Sequence, residues 1–419
     1  MLADWQYPAD TLWPFRPYPQ PDELLSSLLI RIAEGLGLQT ISLLNATWGT
    51  AKNLLHQDLD NYAPGRVEAR VAAALGLERD AIHQTTLVDL EGRLCASYNT
   101  VGRNAWVLPT TISNTSRRRH GLQYCPECLR TDAKPYFRRT WRLAWATVCT
   151  EHHCRLHDSC PECGSVLHPH KAISLDRCHH CHSSLTRGPN IACSAEASYQ
   201  QRTFELALQT GWAALHGRWL YSHLYFQIVR QIACLLVNGK RADRLRASTA
   251  RLFGGDPAPF AKPTARQPIE YLRIEERSRL FRLVQPLLDD FPKHFVEACR
   301  AAELWRSHAI KDMPETPFAL DQVLRAHLDG TRYKSTDGEV AAAACWLRRT
   351  KGYASYPDLK ALCGESRLAL YTHMDYQRRP HQPSKHRTKA LQLIRSAKAP
   401  PSAVACHRDP HSAAPSSGE

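Results

Sequence analysis

Four pairs of cysteine or histidine, each pair two residues apart, follow one another between residues 125 and 181: Cys125/Cys128, Cys149/His152, Cys160/Cys163 and Cys178/Cys181. This spacing constrains the chain more than any other feature. A two-residue gap lets one tight turn present both side chains to a tetrahedral zinc ion, and two such turns close a structural site with no open position. Zinc binding of this kind is itself folding energy, so the segment can fold without a large apolar core. Sequential pairing predicts one site from Cys125, Cys128, Cys149 and His152, and a second from Cys160, Cys163, Cys178 and Cys181. Cross-braced pairing, first with third and second with fourth, is the alternative. His153, Cys154 and His157 compete with His152, which alone keeps the two-residue spacing from Cys149. His168, His170, His179, His180 and His182 read as solvated or supporting residues around the second site.

Ten of the fifteen cysteines lie between residues 92 and 194. Close Cys-x-x-Cys pairs in a chain without an export pattern indicate metal in a reducing compartment, not disulfides. The N-terminus lacks the basic-then-apolar pattern of a signal peptide, and no run of residues approaches a membrane span. The expected location is the bacterial cytoplasm, with association with the nucleoid when bound to DNA. A net charge of +14 and a pI near 9.2 point to a polyanionic partner.

Several catalytic classes lack their apparatus. Gly239-Lys240 has neither the upstream glycine nor the following Ser or Thr of a phosphate-cradling loop. The Cys-Pro-Glu-Cys segments lack the H-x-E that a zinc deaminase requires. No H-E-x-x-H occurs, and nothing distinguishes three carboxylates as a nuclease site.

The expected fold class is mainly α. Prolines at 8, 14, 17, 19 and 21 predict an extended lead-in. From Asp22, a possible N-cap, Leu24, Leu25, Leu28, Leu29, Ile32 and Leu36 recur at helical spacing. Arg31–Leu38 is echoed 39 residues later by Arg70–Leu77. Ala33, Gly37 and Leu43, like Ala72, Gly76 and Ile82, fit the small-residue, glycine and apolar positions of a helix-turn-helix. Neither second helix is rich in base-reading side chains.

Phe204–Leu236 reads as one or two apolar helices, 254–268 as a loop, and Ile269–Leu304 as helical with a break near Pro286. A second helix-turn-helix candidate spans Pro357–Met374, with Ser366 as cap. The predicted organisation is a helix-turn-helix-like domain over 1–91, tandem zinc fingers or ribbons over 92–194, and a helical domain over 195–313. A helix-turn-helix-like segment over 314–379 and a disordered tail over 380–419 follow.

Basic residues interleaved with aromatics suggest nucleic-acid contact at Arg117, Arg118, Arg119, Arg138, Arg139 and Arg142, among Tyr136, Phe137, Trp141 and Trp145. Arg348, Arg349, Lys351 and Arg367 form the corresponding C-terminal set. A solvated face over an aromatic core is the competing reading of the first set, and a solvated helical hairpin that of the second.

The order P-x-P-D-E-x-x-S-S-x-L-x-R-x-A from Pro19, Y-C-P-E-C-L at Tyr124, Y-F-R-R-x-W-R-L at Tyr136, V-C-T-E-H at Val148 and C-P-E-C-G at Cys160 resembles the TniQ family. The likeness covers about residues 15–190, and D-D-F-P-K-H-F at Asp289 resembles a further family landmark. The resemblance implies a non-catalytic adaptor for target-site selection in DNA transposition. Its implied partners are DNA, an AAA+ ATPase and a DDE transposase, with a resolution-site protein, a CRISPR effector complex and homodimerisation left open. It also implies two structural Zn2+ ions on the eight ligands named above. A sequence-specific, zinc-containing transcriptional regulator is the alternative.

Overall fold

The computed structural model describes residues 11–49, 58–62, 65–100, 102–110, 119–168, 171, 173–261, 268–311, 313, 315–330, 335–364 and 367–375, with backbone alone for 367–369. Fifteen α-helices and two short antiparallel hairpins make the described chain mainly α. It divides into two units, one up to Gly330 and one from Thr331. The predicted tail over 380–419 lies outside the described residues.

The first unit opens with two helix pairs, α1 (Leu25–Gly35) with α2 (Thr40–Trp48) and α3 (Gly65–Leu75) with α4 (Arg79–His83). The sequence repeat produces the same turn twice. Gly37 and Gly76 adopt φ of 68° and 69°, a conformation that costs glycine nothing. The amide of Leu38 then reaches back to Ala33 (2.8 Å), and that of Leu77 to Ala72 (3.0 Å). Leu43 and Ile82 close the two pairs over a shared core that contains Leu28, Ile32, Val71 and Leu75. The axes of α1 and α2 meet at 96°.

Asp22 does not cap α1. Its φ is +58°, and its carboxylate accepts from the amide and hydroxyl of Thr140 (3.0 and 2.8 Å) and from Arg139 (3.1 Å). Leu24 occupies the cap position instead. The amide of Leu24 in turn donates to the Phe137 carbonyl (2.9 Å), and that of Phe137 to the Ser27 hydroxyl (3.0 Å). Glu23 holds Ser27 (2.9 Å) and Arg31 (2.6 Å). The motif beginning at Pro19 is therefore a seam joining α1 to residues 137–140.

Beyond the cysteine-rich segment come α6 (Ala195–Thr210), a hairpin of β3 (Trp212–Leu215) and β4 (Arg218–Tyr221), α7 (Ser222–Val237) and α8 (Ala242–Phe253). The hairpin was not legible as such. The sequence reads there as one or two apolar helices, but Gly211 (φ 76°) ends α6 and His216-Gly217, both at positive φ, turn the strands.

Next are α9 (Ile274–Asp289), α10 (Lys293–Ala301), α11 (Arg306–Ala309) and α12 (Phe318–Leu328). The expected break at Pro286 does not occur, and α9 runs through it. A mid-helix proline forfeits one rung at a cost of ~3 kcal/mol. Here Leu280, Leu283, Val284 and Leu287 are buried where α9 packs on α7, α8 and α10, which outweighs that loss.

One cluster of buried side chains runs from Leu24 through the cysteine-rich segment to Leu328. Trp106, Trp145, Phe204, Phe226 and Phe281 form its aromatic centre, with Trp145 stacked on Phe226 at 5.8 Å and Trp106 on Phe281 at 6.1 Å. Fully buried Arg277 ties α9 to this centre through the Ala144 carbonyl (2.9 Å), Gln123 (2.9 Å) and the Leu272 carbonyl (3.2 Å). Burial lowers its guanidinium pKa to about 10.

Among the described residues the second unit is a set of three helices, α13 (Asp337–Lys351), α14 (Tyr356–Cys363) and α15 (Arg367–His373), around Val340, Ala344, Leu347, Leu359 and Leu370. Thr336 caps α13 in a reciprocal pair with Glu339, and Ser355 caps α14. The predicted cap Ser366 lies outside the described residues.

Candidate metal centres

The turns around the cysteines follow one plan. In the second centre, Gly164 and His182 follow Cys163 and Cys181 at φ of 67° and 59°. Their amides close back on the carbonyls of Cys160 (3.0 Å) and Cys178 (3.0 Å). In the first centre, His153 takes that place after His152, at φ 48°, between β1 (Val148–Cys149) and β2 (Cys154–Arg155). Cys125 opens α5 (Pro126–Thr131) as its N-cap, its sulfur accepting from the Cys128 amide (3.4 Å).

The donors gather in sequential order. Cys125, Cys128, Cys149 and His152 form one group, and Cys160, Cys163, Cys178 and Cys181 another, with all donor atoms of each group within 4.8 Å of one another. Cross-bracing is not what the fold builds. Sulfurs each ~2.3 Å from a tetrahedral zinc stand about 3.8 Å apart, and a sulfur and a nitrogen slightly less. Cys128 and Cys149 sulfurs are 3.5 Å apart, Cys160 and Cys181 3.6 Å, and Cys163 and Cys178 3.7 Å. His152 Nδ1 lies 3.3, 3.6 and 3.8 Å from Cys128, Cys149 and Cys125. Both donor sets could hold zinc, with no fifth position required by the geometry.

His152 is also oriented by its other nitrogen. Nε2 lies 3.2 Å from the Thr131 hydroxyl, an arrangement that, with the proton on Nε2, would leave Nδ1 as the lone-pair donor. His153 instead faces Ser198 (3.3 Å), and His157 donates towards the Pro189 carbonyl (2.9 Å). His153→Ala should leave the zinc content of the purified protein unchanged by elemental analysis, and a loss of one ion would reverse the choice between the two histidines. Thr131 carried no sequence signal, since nothing in its spacing marks a hydroxyl as a partner of His152.

The proposed phosphate-binding arginines fare differently. Arg142 is wholly buried, bound to Asp58 and Asp60 and to the Leu108 carbonyl. Arg139 pairs with Asp22 and Asp89. Arg138 pairs with Asp132 and Glu151 while lying over the rings of Tyr136 and Trp141. These three are corrections: their charges close internal ion pairs, those of Arg139 and Arg142 with acids distant in sequence, and Arg142 presents no surface to a phosphate. Trp145, Trp141 and Phe137 are buried, so they offer no stacking platform. Arg119 is part-buried, while Arg117 and Arg118 lie outside the described residues. In the second unit, Arg348 pairs with Asp375 and Lys351 with Asp358, both exposed, and Arg349 is exposed. The side chain of Arg367 lies outside the described residues.

Asp158, between the two centres, accepts from Arg273 twice (2.9 and 2.8 Å) and from the Ile274 amide (3.2 Å). Burial pushes its carboxyl up, but the Arg273 guanidinium more than offsets this and holds it below the usual range. The loop joining the centres is thereby fastened to the start of α9.

The seam at residues 22–27, its partners at 137–140 and the first donor group together fall within a single family pattern. The model of the TniQ family matches residues 14–156. The chain carries a TniQ domain. TniQ domains are non-catalytic accessories of transposition with a role in target selection. The match contains all four donors of the first centre, while those of the second lie just beyond its end. Comparison with curated proteins gave no match.

Proposed function

We propose that the protein is a non-catalytic adaptor for target-site selection in DNA transposition, which binds DNA or a DNA-bound targeting complex and engages an AAA+ ATPase and a DDE transposase. The observation that carries this reading is the TniQ domain, with its family motifs in place over residues 14–156. Two closed four-donor groups support a structural role for zinc, because neither geometry reserves a position for a substrate. The protein would act in the bacterial cytoplasm, on the nucleoid.

The candidate DNA-facing surface is the one whose basic side chains stay open to solvent. The charges of Arg138, Arg139 and Arg142 are used internally, which moves the candidate contacts to the exposed end of α13, where Arg348, Arg349 and Lys351 follow one another. The guanidinium of Arg348 and the ammonium of Lys351 are exposed in their pairs with Asp375 and Asp358, and ion pairs this open to solvent are weak, so a phosphate can displace them.

Duplex binding should weaken steeply as salt rises, since each neutralised phosphate releases condensed counterions. Replacing Arg348, Arg349 and Lys351 together by alanine should lower affinity across sequences and flatten that salt dependence. Deleting the protein in cells that retain transposase and ATPase should abolish or scatter insertion, as read by mapping insertion sites. An unchanged insertion profile would defeat the adaptor reading. DNA cleavage or ATP hydrolysis by the purified protein would defeat the non-catalytic one.

A further inference from the structure

The first metal centre contains one donor more than a tetrahedral ion can use. Cys154 opens β2 directly across the hairpin from Cys149, is wholly buried, and places its sulfur 3.5 Å from that of Cys125. This is the same spacing as between Cys128 and Cys149 within the donor group. Its sulfur also neighbours the Cys149 thiol, so it stands against two members of the donor group. His152, by contrast, is the donor nearest solvent, reaching the group from the turn between the strands and leaning on exposed Thr131.

We propose that Cys154 is a reserve ligand of the first zinc centre, taking the fourth position when His152 is withdrawn, so that the centre exchanges a three-thiolate, one-imidazole set for four thiolates. This rests on the reading of the donor group as a zinc site. The exchange is chemically balanced: the Zn–N bond to His152 Nδ1 breaks, the Cys154 S–H gives its proton to water, and the resulting thiolate forms a Zn–S bond. No oxidant or reductant is needed. The hairpin makes the exchange short in range, because both candidates stand on the same turn, two residues apart, and neither requires α5 to move. A four-thiolate set is also the more negative by one charge, so exchange would alter the field at the exposed edge of the centre.

The test uses the full-length protein and counts zinc. His152→Ala should retain two zinc ions per chain, Cys154→Ala should also retain two, and the double variant should retain one. With cobalt in place of zinc, the thiolate-to-metal charge-transfer absorption of His152→Ala should exceed that of the wild type, as expected for a fourth sulfur, while Cys154→Ala should match the wild type. If His152→Ala holds only one ion or does not fold, Cys154 is no ligand and the proposal falls. Two ions in the double variant would also overturn it, by showing that some other donor fills the position. The second centre is an internal control for folding. A wild-type protein that binds no zinc would refute the metal reading itself, a different result from failure of the reserve.

Discussion

Removing both metal ions with a chelator should unfold the cysteine-rich segment and with it the first unit, seen as loss of near-ultraviolet signal and of the cooperative thermal transition. The expected effect is the largest of any perturbation of this molecule, because apparent binding energies of structural zinc run to ~10–16 kcal/mol per site in small fingers. Without the ion, Cys125, Cys128, Cys149 and Cys160 are buried sulfurs whose close approach has no cation to offset it. β1 and β2 contribute only two residue pairs. Cys178→Ser should remove one ion of two, and joint replacement of Cys128 and Cys149 by serine the other, as counted by elemental analysis. Retention of native thermal unfolding after complete chelation would show that the sites are dispensable for the fold.

Arg142→Ala should be the most damaging single substitution away from the donor groups. It leaves Asp58 and Asp60 without their shared counter-charge, and breaking a buried pair by removing one partner typically costs ~3–5 kcal/mol. Asp60 is already pushed up to about 6 by burial, with Arg142 beside it. Without Arg142 it should rise further. The folded variant would then hold a proton that the unfolded chain releases above its ordinary carboxylate range, so stability is lost as pH rises and regained on acidification. The deficit against the wild type should therefore shrink as pH falls towards about 6 and change little below it, in a series of melting curves. A variant that keeps wild-type stability but loses DNA affinity would restore the phosphate-contact reading of Arg142.

The two four-donor groups were legible from the sequence because their chemistry is local: a tight turn with donors two residues apart needs no knowledge of the rest of the fold. The paired helices were legible for the same reason, since Gly37 and Gly76 mark turns within a few residues of the helices they end. The arginines were misread because their partners are distant. Arg139 meets Asp22, and Arg142 meets Asp58 and Asp60, across separations that no spacing rule spans. A basic and aromatic stretch has the same composition whether it faces phosphate or supplies the interior of a domain. Pro286 was misjudged in a similar way, because a local propensity was overridden by burial on three sides of one helix.

The aromatic centre bears on how pieces of this protein can be exchanged with relatives. The family match ends at residue 156, yet Trp145 packs on Phe204 and Phe226, and Trp106 on Phe226 and Phe281, all contributed by later helices. Arg277 and Glu270 reach back from beyond that boundary to bind Gln123 and the Trp106 amide. A chimera cut at the edge of the recognisable pattern would therefore expose two tryptophans and leave Gln123 without the Arg277 side chain it binds. Grafting would have to carry α6 to α9 along with the motif-bearing segment, which makes the transferable part of the molecule about twice as long as the recognisable one.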